Sequence, residues 1–321
     1  MPRSVHQLAS RLTFRQLQVF LAVFEQQGYS RAGELLGLTQ PAVSSQIKQL
    51  EETLKQPLFE YVGRKLYPTP AAEVLAQSVR VIFDELRSLQ TDIVTKTGQV
   101  AGELRLAGVN TAQYVVPYLL EGFLQQYPEV KASVRVVNRA QAIERLQDNS
   151  DDLTIMGMVP DNKPFASLPF LDNELVPVMG ANHPLAQVEN LSAQDFLNAG
   201  FLIREQGSGS RLALEVFCQE HRLELKPRMQ LGSNDAVKHA VLAGLGVAVL
   251  PKFSVLAELK LGRLAIADLQ GFPLRRSWCV VYPKAKHPTP AMKAFISYVQ
   301  SHIKHFNKDF FEGRILGDAR G

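Results

Sequence analysis

Between Ala71 and Thr97, apolar residues fall at Leu75, Val79, Ile82, Leu86, Leu89 and Ile93, in alternating steps of four and three. That spacing is an a/d heptad seam, one thin stripe on a long helix. A globular helix usually buries a wider face, so this one needs a second helix beside it. The seam therefore predicts a homo-oligomer joined through residues 71–97. It also divides the chain into a short segment before the helix and about two hundred residues after it.

The segment before it reads as compact and helical. Thr13 and Gln16 form a capping box, and Leu17, Phe20, Leu21 and Phe24 make the stripe of a first helix. "QQGY" (Gln26–Tyr29) breaks the chain, Ser30 is the cap expected for a second helix, and Gly37 suits its stop. Thr39 follows as a third cap, with Pro41 tolerated in the first turn. On this third helix Val43, Ile47, Leu50 and Leu54 lie within a stripe roughly 60° wide at about 100° per residue. Pro41, Ser44, Ser45 and Lys48 lie opposite, with Gln40 on the flank. A solvated face usually carries Glu and Lys, which are better helix formers than Ser. Short hydrogen-bonding groups with one cation suit a face that approaches bases and phosphates. Two short helices and a tight turn form a helix-turn-helix pattern. "PLFEYVGRKLYPTP" (Pro57–Pro70) then predicts a basic hairpin, a wing placing Arg64 and Lys65 on the DNA backbone or in the minor groove. Residues 1–68 hold eight Lys/Arg against five acids, so +3 of the chain's formal +4 lies in this first fifth.

Residues 13–97 resemble the N-terminal module of LysR-type transcriptional regulators. "TQPAVSSQIKQLE", the wing and the long helix carry the resemblance. Tyr61 and Ala72 depart from that pattern, since many members have Arg and Gly there. The resemblance implies double-stranded DNA as partner, read by Gln40, Pro41, Ser44, Ser45 and Lys48. Arg31, Arg64, Lys65 and Thr69 would hold backbone or minor groove, and RNA polymerase would be a further partner.

From Gly102 the pattern changes to alternating strands and helices, an α/β arrangement with parallel strands. Strands are expected at 103–109, 130–137, 151–158, 201–206, 228–233, 246–251 and 277–283. Helices are expected between them and at 289–304, while the tail after Phe306 shows no period. This resembles the two-lobed, periplasmic-binding-protein-like effector domain of the same regulators. The expected organisation is a winged helix-turn-helix at 1–70, a linker helix at 71–97 and an effector domain at 98–321. Lobe I would take about 98–170 and 272–304, and lobe II about 171–271.

Ligands of open α/β sheets sit at strand C-termini against helix N-termini. "VNTAQ" offers Asn110 and Thr111, "VNRA" offers Asn138 and Arg139, and "GSND" offers Asn234. "REQGSGSR" offers Arg204, Gln206, Gly207, Ser208, Ser210 and Arg211. Hydroxyls, free N–H groups and guanidinium favour an anion, although each Ser or Asn alone is also an ordinary helix cap. "NTAQY", "REQGSGSR" and "GSNDAVKHAVLAGLGVAVLP" resemble the branch that regulates Calvin-cycle carbon-fixation operons. That resemblance implies a small anionic effector: a sugar phosphate such as ribulose 1,5-bisphosphate, 2-phosphoglycolate, 2-oxoglutarate or NADPH. A regulator of another operon sensing a different acid remains open.

Enzyme and transporter readings are weaker. "GLGVAV" ends a helix and opens a strand, the reverse of a dinucleotide fingerprint, and "GSGS" lacks the lysine of a phosphate loop. No Gly-x-Ser-x-Gly elbow occurs, and His302 with His305 lacks further metal ligands. No cofactor or metal is expected. Cys218 and Cys279 read as small buried hydrophobes, with a redox switch as the lesser reading. No signal peptide or apolar run of membrane length is present, which predicts a cytoplasmic protein.

Overall fold

The computed structural model describes residues 8, 10–95 and 100–311. They form two compact units, one up to Leu89 and one from Gln90 on.

In the first unit, α1 (Phe14–Gln26), α2 (Tyr29–Leu36) and α3 (Gln40–Leu54) precede the hairpin β1 (Phe59–Val62) and β2 (Lys65–Pro68); α4 (Pro70–Thr95) follows. The Thr13–Gln16 box forms, with each backbone N–H held by the other's side chain at 3.0 and 3.1 Å. α2 starts two residues earlier than expected. Gly28 is the cap residue and Ser30 lies inside the helix, because Tyr29 packs its ring edge-on against Phe59 at 6.2 Å. Gly37 closes α2 in the left-handed region, φ 65°. Thr39 occupies the cap position of α3 without a side-chain bond.

Val43, Ile47 and Leu50 from α3 meet Phe20, Val23 and Leu58 in one core, to which α4 adds Ala72, Ala76 and Val79. Burying a side chain of this size contributes roughly 1.5–3 kcal/mol. Beyond Val79 the seam emerges from that core. Ile82, Leu86 and Leu89 are 39, 38 and 56% exposed. The side chain of Ile93 and residues 96–97, the expected end of the linker, lie outside the described residues.

The second unit is built on one nine-stranded sheet in the order β4-β3-β5-β11-β6-β9-β7-β8, with β10 paired to β6. Its strands are β3 (Gly102–Val109), β4 (Val130–Val137), β5 (Leu153–Met156), β6 (Phe165–Gly180), β7 (Leu202–Arg204), β8 (Met229–Leu231), β9 (Ala248–Pro251), β10 (Leu264–Ile266) and β11 (Leu274–Pro283). β4-β3-β5 and β9-β7-β8 are parallel, as βαβ crossovers dictate. Between them β6 and β11 run antiparallel over ten residue pairs. These two strands carry the chain out of lobe I and back.

Helices α5 (Val116–Gln126), α6 (Arg139–Gln147) and α11 (Pro290–Phe311) belong to lobe I; α7 (Ala193–Asn198), α8 (Gly209–Glu220), α9 (Asn234–Leu242) and α10 (Leu256–Lys260) belong to lobe II. Phe123, Trp278, Phe295 and Val299 centre the first lobe's core, and Phe196, Phe201, Ile203 and Phe217 that of the second. α11 continues past Phe306, where the sequence suggested an aperiodic tail, because Phe306 is buried against Tyr298. Residues 312–321 lie outside the described residues.

Candidate DNA interface and effector cleft

Packing of Val43, Ile47 and Leu50 fixes which side of α3 faces out. Gln40, Pro41, Ser45 and Lys48 are exposed and Ser44 is half-buried on its flank. The end of α3 also sets the wing: Glu51 Oε1 accepts the N–H groups of Leu58 at 2.7 Å and Phe59 at 3.4 Å. The hairpin turns at Gly63, φ 64°, which leaves Arg64 and Lys65 exposed at its tip. Arg31 is exposed and folds back to donate to the Gln27 carbonyl at 3.1 Å.

Thr69 is a correction. It is buried, its hydroxyl donates to the Pro57 carbonyl at 2.8 Å, and the same oxygen accepts from Ala72 N–H at 3.3 Å. Thr69 thus locks the wing to the start of α4, and its side chain has nothing left for a phosphate. The position after a strand and before a proline is as much a helix-cap signal as a contact signal.

In the second unit, Asn110, Thr111, Asn138, Arg139, Arg204, Ser208, Gly209 and Ser210 converge on one cleft of about 460 Å³, counting its open mouth. Each follows from the βα topology: β3, β4 and β5 run opposite to β7, β8 and β9, so the strand C-termini of the two lobes point towards each other along the crossover strands. The β5 end adds Gly157 and Met158, and the crossover strands add Asn173, Leu175 and Arg276. Motif reading missed these last residues. Arg276 had one signal: two consecutive arginines inside a strand that is otherwise mostly apolar.

Three expected contacts lie outside the cleft lining, and a fourth stands behind it. Gln206 is exposed. Gly207, φ 84°, brings the lobes together: its carbonyl accepts from Ala140 N–H at 3.1 Å, and a Cβ there would stand 2.9 Å from Ala140 Cβ. Arg211 turns away, held by Glu215 at 2.7 Å, Gln230 at 2.8 Å and the Arg204 carbonyl at 3.1 Å. Asn234 is fully buried, accepting from Arg204 and donating its N–H to Asn110 Oδ1 at 3.1 Å.

The electrostatics separate the arginines. Arg204, 3% exposed, is paired bidentately with Glu205 at 2.7 and 2.9 Å and also reaches Asn110 at 3.3 Å. Its charge is cancelled, so it shapes the wall. Arg139 instead donates to the Met158 carbonyl at 2.6 Å, and burial pulls its guanidinium below the ordinary arginine value. A half-buried cation with no counter-charge among the described residues carries a desolvation cost, and an anion in the cleft relieves it.

A second interlobe contact flanks the cleft. The 3₁₀ turn Asn110–Tyr114 of lobe I reaches Asp235 at the start of α9. Tyr114 Oη donates to Asp235 Oδ1 at 2.9 Å and Gln113 Nε2 to Oδ2 at 3.2 Å. Burial, and then the bond to Asp235, push the Tyr114 phenol well above its usual value. The hydroxyl therefore remains a donor at every physiological pH.

The family model of the LysR substrate binding domain matches residues 97–304, and that of the bacterial regulatory helix-turn-helix protein, lysR family, matches residues 14–73. The chain belongs to the LysR family. It is a DNA-binding transcriptional regulator. This LysR-family chain is 42% identical over 287 residues to the RuBisCO operon transcriptional regulator of Acidithiobacillus ferrooxidans, covering 89% of this chain and 93% of that protein. It is 39% identical over 290 residues to the HTH-type transcriptional activator CmpR of Synechocystis sp., covering 90% and 95%. Among solved structures, the CcmR regulatory domain of Synechocystis PCC6803 in complex with 2-PG is 36% identical, with a TM-score of 0.59, covering 63% of this chain and 97% of that one. These relatives are regulators, not enzymes.

Among the described residues no three His, Cys, Asp or Glu side chains gather as a metal site, and no helix is long and apolar enough to cross a membrane. His302 stacks on Tyr298 at 4.2 Å. Burial pushes the Cys218 thiol up to about 11 and raises Cys279 as well. Neither is a ready thiolate.

Proposed function

We propose that this LysR-family regulator controls carbon-fixation genes, RuBisCO among them, in response to a small anionic metabolite bound between its lobes. One observation carries the effector half. The cleft holds Arg139 and Arg276 with no carboxylate partner among the described residues, beside the N-terminus of α8. Such an arrangement attracts an anion through free N–H groups, dipole and charge together. The candidate effectors are 2-phosphoglycolate, a sugar phosphate, 2-oxoglutarate and NADPH. The relatives named for RuBisCO operons, and the one solved with 2-PG, favour 2-phosphoglycolate among them.

DNA is read by Gln40, Pro41, Ser44, Ser45 and Lys48 in the major groove, with Arg31, Arg64 and Lys65 on the backbone or in the minor groove. The exposed Ile82, Leu86 and Leu89 support pairing of two copies along α4, so that the dimer, or a tetramer built from two dimers, reads two half-sites. RNA polymerase at the promoter and a cytoplasmic location complete the reading.

Thermal denaturation of the full chain with each candidate metabolite tests it. A ligand specific for the folded state at 100 times its Kd adds about 2.7 kcal/mol. A clear rise in Tm with 2-phosphoglycolate, ribulose 1,5-bisphosphate or 2-oxoglutarate is the expected result. Stabilisation only by acids unrelated to carbon fixation would move the protein to another operon.

A further inference from the structure

Arg276 lies on the crossover strand β11, outside every stretch that sequence motifs place at the cleft. Its Nε donates to Met158 Sδ at 3.1 Å, while Arg139 Nε donates to the carbonyl of the same Met158 at 2.6 Å. Two half-buried guanidinium groups thus converge on one residue, with no carboxylate partner for either among the described residues. Directly opposite Arg276 in the β6–β11 register stands Asn173. It is 6% exposed, lines the cleft, and its Oδ1 is buried with no partner. Register partners place their side chains on the same face of the sheet. An amide oxygen and nitrogen are interchangeable by rotation, so Asn173 can present donors to an anion.

Charge bookkeeping then constrains the ligand. Arg204 is neutralised by Glu205, which leaves Arg139, Arg276 and the α8 N-terminus uncompensated. A monocarboxylate balances one guanidinium and leaves the other desolvated beside it. A phosphorylated acid carries enough charge, and enough acceptor oxygens, for both.

We propose that Arg276, with Asn173 at its side, is the specificity determinant that makes the cleft select a phosphorylated small acid over a simple carboxylic acid. This rests on the cleft being the effector site. The crossover strand supplies the second charge, and Arg139 from lobe I supplies the first.

Calorimetry on the full chain tests it, with 2-phosphoglycolate, inorganic phosphate and glycolate as probes. Wild type should prefer 2-phosphoglycolate to glycolate. Arg276→Gln should lose roughly 10- to 100-fold in affinity for 2-phosphoglycolate, the loss expected for one charge-assisted contact, with little change for glycolate. Arg276→Lys, which keeps the charge, should recover part of the loss and guards against misfolding of the glutamine variant. An equal loss for phosphate-bearing and phosphate-free probes would mean general packing and overturn the assignment. If Arg139→Gln weakens binding while Arg276→Gln does not, the cleft reading stands and the Arg276 role falls. If wild type binds none of the three, the cleft itself is misread.

Discussion

Tyr114→Phe deletes one hydroxyl from the contact between the lobes and leaves the ring in place. The bond it removes, Tyr114 Oη to Asp235 Oδ1 at 2.9 Å, is charge-assisted, and such bonds contribute roughly 1.5–3 kcal/mol. The full value does not apply here. Asp235 is 46% exposed, and it keeps Gln113 at 3.2 Å and Lys238 at 3.4 Å. About 1 kcal/mol is the reasonable size after solvent screening, or about fivefold in the equilibrium between closed and separated lobes. Two amides report that equilibrium directly. Ala140 N–H is held by Gly207 O at 3.1 Å and Asn234 N–H by Asn110 Oδ1 at 3.1 Å, both across the cleft. Hydrogen exchange at these sites should accelerate by about fivefold in the variant, while the β3–β4 ladder exchanges as before. Unchanged protection at Ala140 and Asn234 would show that the tyrosine does not bias lobe closure. Uniform acceleration across the sheet would show a loss of global stability instead.

Three other perturbations have definite outcomes. Asp152, 2% exposed between Arg105 at 2.7 Å and Lys286 at 3.0 Å, has its carboxyl held down at about 2 against the burial that opposes ionisation. Its folded value is below the unfolded one, so it contributes about 2 kcal/mol above pH 4 that disappears as pH falls towards 2. Acid titration of Tm should show this slope in wild type and lack it in Asp152→Asn, which should also melt lower because two cations lose their partner. Gly246→Ala should destabilise lobe II by more than about 2 kcal/mol, since the added Cβ would fall 1.8 Å from Gly200 O at φ 156°; denaturant titration measures it, and a neutral result would mean the backbone there can move. Leu86→Asp combined with Leu89→Asp should shift the protein towards monomer in light scattering and weaken binding to a two-site duplex, whereas an unchanged mass would place the oligomer contact elsewhere.

Much of this molecule is legible along the chain because its signals are local. The Thr13–Gln16 cap, the Gly37 stop and the inward stripe of α3 each depend on residues within one or two turns. The failures are residues whose role depends on a distant partner. Ser30 has cap chemistry, but Tyr29 is drawn into the helix by Phe59 from the hairpin. Thr69 has contact chemistry, but Pro57, twelve residues earlier, takes its hydroxyl. Gln206 and Arg211 sit inside a correctly located loop yet face solvent or Gln230, because helix phase and strand pairing decide direction. Arg276 reaches the cleft through the β6–β11 register, and a slip of one residue would turn it to the other face.

That register has one irregularity, between Trp278 and Cys279, where the partner strand passes from Leu171 to Pro169. Trp278 is wholly buried and donates to Thr111 Oγ1 at 3.2 Å, in the turn beside the cleft. A two-stranded ribbon holds against stretching but yields to torsion, and it yields first where its ladder is interrupted. Any turn of one lobe against the other would thus concentrate beside this tryptophan, as a torsion bar twists without changing length.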